Sequence, residues 1–362
     1  MTQTTHPKRF MRNIGGVFAL GYIGLCFFVA LFAYVLASDG SKNANQMHLS
    51  LHSQPPGFQV QMLHIPTDRP SVSLFEKLFF GDPNLGTYYP ISNHRLEAEG
   101  VYIEHFNFDA PGKKELIPYE RFVEVDRPQT IETTYVVTKK FLLGTDLFGR
   151  DILSRLLVGT RISLSIGLIA VFISLIVGVL LGSLGGYFGG NVDRLIMWLI
   201  NVTWSIPTLL LVIAISVAIG KGFWQVFIAV GLTMWVEVAR IVRGQVISLK
   251  NREFVKAAET LGFSSFRIIS KHILPNAFGP LVVITAANFA AAILIESGLS
   301  FLGIGAQPPV PTWGTMIKDH YPFLLTGKPF MALAPGLAVM LLVSSFMVLG
   351  NALRDIYDPQ LS

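Results

Sequence analysis

Residues 162–187 read ISLSIGLIAVFISLIVGVLLGSLGGY and contain no charged side chain. A helix that crosses the hydrocarbon core of a bilayer needs about 20 mostly apolar residues, and this run is long enough. The whole chain has a similar character, because 51% of its 362 residues are hydrophobic and only 14% are charged. Soluble domains carry about 25% charged residues. We therefore predict an integral membrane protein.

Five further apolar runs of sufficient length accompany this one, which predicts an all-α membrane protein with six spans. The first, 14–36, follows Lys8, Arg9 and Arg12. It is longer than the apolar part of a signal peptide, so we interpret it as a retained anchor. The remaining runs are 194–219, 223–243, 278–300 and 330–350.

Basic residues are unevenly distributed among the loops between these spans. The loop 302–329 contains only two of them, Lys318 and Lys328. The segment 240–280 contains seven: Arg240, Arg243, Lys250, Arg252, Lys256, Arg267 and Lys271. Cytoplasmic loops are enriched in Lys and Arg, so this segment and both termini are predicted to be cytoplasmic. The net charge of +5 is dispersed and does not indicate nucleic-acid binding.

Residues 38–143 are polar and rich in Pro and Gly, which predicts a small β-rich extracytoplasmic insert between the first two spans. Alternating patterns predict strands at 58–62, 101–104 and 130–138. Aromatic residues available for a small core are Phe58, Tyr102, Phe106, Phe108, Phe122 and Tyr135. The predicted domains are thus 1–37 with the first span, the insert 38–143, and a transmembrane domain 144–362.

Neither disulfides nor a metal site are expected. The single cysteine, Cys26, lies inside the first apolar run, so an intramolecular disulfide is impossible. The spacing of the insert histidines does not match a zinc site; these are His48, His52, His64, His94 and His105.

Glycines recur every fourth residue in and after the second predicted span. They place small residues on one helix face, which allows close helix packing in lipid. These are Gly178, Gly182, Gly186 and Gly190. Pro207 and Pro335 are predicted to kink their helices.

Two glutamates fall inside apolar runs, where an ionisable side chain is by default a candidate functional residue. For Glu237 the simpler interpretation is an ion pair with Arg240 or Arg243 near the cytoplasmic surface. For Glu296 it is a structural hydrogen bond with Ser300, four residues later.

The segment 253–276 reads EFVKAAETLGFSSFRIISKHILPN and predicts two short amphipathic helices in the cytoplasm, within a loop spanning 244–277. The first helix should end at Gly262, a residue suited to a left-handed cap. Ser264 or Ser265 can cap the second helix, and Pro275 should end it before the next span. A rigid helix pair of this kind suits force transmission from a partner, and the alternative is an ordinary solvated loop.

This segment resembles the coupling loop of ATP-binding-cassette (ABC) importer permeases, whose pattern is Glu-Ala-Ala, three residues, Gly, nine residues, Ile-x-Leu-Pro. Lys256 stands where the family has the glutamate, and His272 where it has the isoleucine. The positions that match are Ala257, Ala258, Gly262, Leu274 and Pro275.

Four other segments resemble the C-type permease subunit of dipeptide, oligopeptide and nickel importers, and with the loop they cover roughly 140–362. One is the stretch 185–193, after the second span. The others contain Gly144, Thr145, Asp146, Gly149, Arg150 and Asp151 before that span, Gly303 and Gly305 before the last span, and Asp355, Asp358 and Pro359 at the end. The chain departs from the family at Trp198 and Asn201, where an arginine and an aspartate are common.

The resemblance implies a type I ABC importer permease fold in a bacterial inner membrane, and alternating access for peptides or similar small solutes. It implies a second homologous permease, two cytoplasmic ATPase subunits that hold ATP and magnesium, and an extracytoplasmic solute-binding protein. This chain has no Gly-x-x-x-x-Gly-Lys-Ser/Thr phosphate loop, so it is expected to be no enzyme and to carry no cofactor. Nucleic acid is not an expected partner.

Three alternatives remain open. The first is a membrane-anchored receptor or assembly protein that acts through the insert. The second is a permease of the same family for nickel or another solute. The third is a self-sufficient channel or ion-coupled transporter, which would favour buried charges near the middle of the membrane.

Overall fold

The computed structural model describes residues 10–67, 72–108, 110–122, 129–220 and 223–357. The chain divides into two compact units. We call residues 1–27, 163–307 and 337–362 the transmembrane unit, and residues 28–162 and 308–336 the sheet unit.

The described part of the chain is mainly helical, with one small sheet. Its strands are β1 Phe58–Ile65, β2 Thr87–Leu96, β3 Gly100–His105, β4 Lys114–Pro118 and β5 Val136–Phe141. Its α-helices are α1 Ile14–Leu31, α2 Ala33–Leu36, α3 Leu74–Phe80, α4 Gln129–Thr134, α5 Ile152–Phe188, α6 Gly190–Trp204, α7 Thr208–Ile219, α8 Phe223–Lys250, α9 Glu253–Thr260, α10 Ser265–Ile268, α11 Phe278–Phe301, α12 Trp313–His320 and α13 Phe330–Tyr357.

Five helical stretches in the described residues are long and apolar enough to cross a membrane: α1, α5, α8, the stretch Ser265–Phe301 and α13. The predicted span 194–219 is different, because it is a pair of helices, α6 and α7, bent by 94°. The bend lies at residues 205–207, where proline removes an N–H and disfavours helical backbone at Ile206. The kink at Pro207 is thus confirmed, and the described helices provide six spans only if the bent pair α6–α7 counts as one. Pro335 lies inside α13.

The predicted glycine face brings α5 and α8 into close contact within the transmembrane unit. A Cβ atom added to Gly182 would lie 2.5 Å from the carbonyl oxygen of Ala239 and 2.9 Å from Cβ of Val242. Gly178 and Gly186 make equivalent approaches to Val238 and Val246. Three of the four glycines therefore share one packed face, whereas Gly190 begins α6.

The sheet has five antiparallel strands in the order β4-β3-β2-β1-β5. It confirms strands at 58–62 and 101–104, while β2 and β4 were not predicted. The predicted strand 130–138 is wrong in its first half, where the chain forms α4. Ile131 and Tyr135 lie one helical turn apart and are both buried in the core. Buried residues at this spacing are typical of a helix and not of a strand.

Each face of the sheet unit's β1 packs into a separate core. Leu63 contributes to a cluster that includes Phe122 and Tyr135. Val60 and Met62, which point to the opposite face, join Leu51 and Phe141, with Phe58 and Phe106 alongside. Among the aromatic residues predicted for a core, two lie outside both clusters: Phe108, which is 53% exposed, and Tyr102, which is half-buried.

The close approach at Gly182 predicts a steric penalty for any side chain. We expect Gly182→Ala to lower the thermal midpoint of the detergent-solubilised protein, because overpacking costs about 1–3 kcal/mol. Gly244→Ala in α8 is the matched control, since nothing lies within 4 Å of a Cβ atom at that position. Equal midpoints for the two variants would show that the α5–α8 contact tolerates a methyl group.

Candidate functional site

The segment that follows α8 packs against the rest of the transmembrane unit. Val255 and Ala258 of α9 are buried, in one cluster with Val246 of α8 and with Ile268 and Ile273 further along. The opposite side of α9 is solvent-exposed, including Lys256 and Ala257. The segment is therefore an amphipathic, packed structure and not a free loop.

A Schellman motif ends α9. The N–H of Gly262 donates to the carbonyl of Glu259 at 2.9 Å, and the N–H of Phe263 donates to that of Ala258 at 3.1 Å. Gly262 has φ +77°, a left-handed conformation that glycine adopts without steric cost. The predicted end of the first helix at Gly262 is confirmed.

The second short helix begins where the sequence indicated. The Ser264 hydroxyl accepts from the Arg267 N–H at 3.4 Å and caps α10. The guanidinium of Arg267 lies 4.1 Å from the ring centroid of Phe263, and Phe263 stacks on His272 with 5.9 Å between centroids. These contacts fix the turn between α9 and α10.

The prediction that Pro275 ends the second helix is wrong. After α10 the chain makes one π-helical turn, Ile269–Ile273, and one 3-10 turn, Leu274–Ala277, and then continues as α11. Pro275 lies in the first turn of the 3-10 helix, where its missing N–H would have no helical partner. Leu274 is half-buried and Pro275 is exposed. The helical stretch therefore runs without interruption from Ser265 to Phe301.

Polar contacts also join this segment to the end of α5. The hydroxyl of Tyr187 donates to a carboxylate oxygen of Glu259 at 3.3 Å, and Lys250 donates to the carbonyl of Tyr187 at 2.6 Å. Nearby, Arg243 makes a bidentate ion pair with Asp193, with distances of 2.5 and 2.6 Å. Tyr187 and Asp193 belong to the stretch 185–193 that resembles the permease family, but the sequence did not predict their partners.

The motif 144–151 forms a buried polar cluster within the sheet unit, centred on Asp146. Its carboxylate accepts from the backbone N–H of Phe148 at 2.8 Å and of Arg150 at 2.9 Å. The Arg150 side chain donates to it at 2.6 Å. Arg155 and His320 lie 3.8 and 4.0 Å away. Burial lowers the pKa of His320 from its usual value, so that its ring is neutral at neutral pH.

The other residues of this motif connect it to the insert, also within the sheet unit. Thr145 donates to the carbonyl of Leu51 and accepts from the N–H of Gln54 at 2.8 Å. Asp151 accepts from the Ser38 hydroxyl at 2.6 Å. Gly144 and Gly149 both have positive φ. The motif is thus the structural junction between the sheet and the start of α5.

The remaining motif residues are dispersed. Gly303 has φ +81°, and Gly305 donates to the carbonyl of Leu299 at 3.1 Å, so both lie in the turn after α11. Asp355 is exposed near the end of α13, whereas Asp358 and Pro359 lie outside the described residues. Trp198, which replaces a common family arginine, is 59% exposed.

Of the two glutamates in apolar runs, only Glu296 forms the contact that was predicted from the sequence. Glu296 is fully buried and accepts from the Ser300 hydroxyl at 2.7 Å. Glu237 does not form the expected ion pair, because Arg243 is bound by Asp193 and Arg240 stacks on the Trp204 ring at 4.6 Å. In the described ranges no basic side chain lies within ion-pair distance of Glu237.

Comparison with known proteins identifies the class as inner-membrane transport components. The family described as "Binding-protein-dependent transport system inner membrane component" matches residues 159–362, more than half of the chain. The chain belongs to this family, and it is a permease subunit of an ABC importer.

Several relatives are permease subunits. The dipeptide transport system permease protein DppC of Bacillus subtilis is 43% identical over 60% of this chain and 68% of its own length. The oligopeptide transport system permease protein OppC of the same organism is 42% identical, with coverages of 62% and 73%. The glutathione transport system permease protein GsiD of Pectobacterium atrosepticum is 40% identical, with coverages of 75% and 89%.

A solved structure of the MetNI methionine ABC transporter in an inward-facing conformation is also similar, with 16% identity and a TM-score of 0.47. The match covers 56% of this chain and 95% of the matched chain.

The buried cluster predicts a strong effect of neutralising Asp146. We expect Asp146→Asn to make the sheet unit sensitive to limited proteolysis and to lower the thermal midpoint. Removing one partner of a buried ion pair costs about 3–5 kcal/mol, because Arg150 is left without its counter-charge. Asp355→Asn, at an exposed position, is the control and should change neither readout. Wild-type protease resistance in Asp146→Asn would mean that the carboxylate's charge is dispensable.

Proposed function

We propose that this permease pairs with a second, related permease and forms a pathway for peptides or similar small solutes. Two cytoplasmic ATPase subunits bind the segment 253–275 and drive alternating access, and an extracytoplasmic binding protein delivers the solute. The relatives named for dipeptide, oligopeptide and glutathione transport support the solute class.

The observation that carries the ATPase contact is an exposed apolar surface on the segment. Leu261 is 72% exposed and Phe266 is 81% exposed, at the turn between α9 and α10, and Phe254 is 41% exposed. Contiguous exposed apolar side chains mark interaction sites on proteins. Because Val255 and Ala258 hold the opposite face in the core, this surface is presented by a rigid support.

Because the helical stretch from Ser265 to Phe301 is continuous, an ATPase that binds the turn would also affect the membrane-spanning helix α11. The Schellman motif at Gly262 and the cap at Ser264 fix the turn, and the chain then remains helical up to Phe301. A displacement of the turn by an ATPase would reach α11 through this continuous helical stretch. This is the behaviour that alternating access by rocking of helices requires.

The orientation that fits this function places both termini and the segment 253–275 in the cytoplasm of a bacterial cell, and the sheet outside. The seven basic residues of 240–280 support it by the positive-inside rule. It requires six crossings, with α6 and α7 together counting as one.

We predict that removing the exposed Phe266 side chain weakens ATPase binding. Phe266→Ala should weaken co-purification of the ATPase subunits and reduce solute-stimulated ATP hydrolysis at least severalfold, while the thermal midpoint stays unchanged. Phe278→Ala is the matched control, because Phe278 is 57% exposed in the same helical stretch but lies beyond the turn. Equal ATPase binding by the two variants would place the ATPase contact elsewhere.

The orientation predicts which positions an impermeant thiol reagent can reach. With Cys26 replaced by Ala, Lys113→Cys should be labelled on intact spheroplasts, since that side chain is 79% exposed in the sheet unit. Asn251→Cys should react only after the membrane is permeabilised. Labelling of position 251 from outside would contradict the proposed topology.

A further inference from the structure

We infer that Glu237 binds the amino-terminal ammonium group of the transported peptide, in a cavity at the break between α6 and α7. This inference rests on the proposed peptide import and adds a residue that recognises the substrate. It concerns a carboxylate that has no counter-ion in the described part of the chain.

The cavity lies entirely within the transmembrane unit and has a volume of about 170 Å³. Thr203, Trp204 and Thr208 line it from the two sides of the 94° bend. Thr233 and Glu237 line it from α8. The cavity therefore lies at the bend, between α6, α7 and α8.

Glu237 forms no ion pair with the basic residues of the described chain. The two arginines that follow it in α8 have other partners, since Arg243 forms two bonds with Asp193 and Arg240 stacks on Trp204. An ionised carboxylate inside a membrane-spanning helix is costly unless it faces water or a cation. In the open cavity Glu237 can face water, and a cationic ligand bound there would supply the cation.

Two of the three threonine hydroxyls that line the cavity donate their protons to backbone carbonyls. Thr203 donates its proton to the carbonyl of Leu199 at 2.9 Å, and Thr233 donates to that of Val230 at 2.8 Å. Their oxygens therefore remain as acceptors, next to the acceptor-only carboxylate of Glu237. Such a set complements an ammonium group, which has three N–H donors and no acceptor, and it disfavours a carboxylate.

Within this chain the cavity has a volume of about 170 Å³, which is enough for the ammonium group and the first Cα substituents. The group proposed to bind there is one that peptides of every sequence share. This suits a permease that must pass peptides of varied sequence and still distinguish them from neutral solutes.

The test uses the complete importer purified without its binding protein, so that the binding protein's own selectivity is removed. Equilibrium binding of radiolabelled trialanine is compared with that of N-acetyl-trialanine. We expect the wild type to bind trialanine about tenfold more tightly, which corresponds to about 1.4 kcal/mol. Glu237→Gln should abolish this preference by weakening trialanine alone, and Glu237→Asp should retain it. Glu99→Gln, at an exposed position of the sheet unit, is the control for loss of a charge.

Transport of trialanine by the wild-type importer with its binding protein is measured separately and tests the proposed function. If trialanine is transported but Glu237→Gln keeps the preference for the free amino terminus, the role of Glu237 is wrong. Equal binding of the two peptides by the wild type, or binding of neither, overturns it as well. Absence of peptide transport in the wild type contradicts the proposed substrate class instead.

Discussion

The close contact between α5 and α8 is the constraint on which the rest of the transmembrane unit depends. Lipid supplies no hydrophobic driving force between helices, so α8 is positioned by the backbone approach that Gly178, Gly182 and Gly186 allow. The continuation of α8 carries α9, whose buried residues pack beside Val246 on the same helix. A separation of the two helices would therefore displace both the membrane cavity and the segment proposed to contact the ATPases.

Sequence patterns predicted the long apolar helices well, but not the short helices α3, α4 and α12 or the size of the bend between α6 and α7. Apolar run length identified the candidate spans, and Pro207 marked a kink, but a 94° bend depends on how α7 packs on α8 and α11. At Pro275 the local rule predicted an end, and the chain instead accommodates the missing N–H with one π and one 3-10 turn. The caps at Gly262 and Ser264 were predictable because they involve only neighbouring residues.

Pairs of charges were the hardest feature to predict. Proximity in sequence suggested Glu237 with Arg240 or Arg243, whereas Arg243 instead reaches Asp193 on another helix. Such a choice is made by tertiary packing, which no local pattern encodes. His320 likewise belongs to no motif in the sequence, although it lies beside Asp146. The sequence already marked Glu237 as a candidate, but the simpler interpretation as an ion pair could be set aside only once the partners of both arginines were known.

The order in which the chain is synthesised determines when each contact of the Asp146 cluster can form. Asp146 and Arg150 are separated by four positions, so their ion pair can close as soon as both leave the ribosome. His320 is synthesised much later, after α5, α8 and α11. The carboxylate thus need not wait unpaired during biogenesis, and the late imidazole joins a site that is already neutralised. A nascent chain that has not yet reached α12 can consequently fold its sheet with the Asp146 carboxylate already paired.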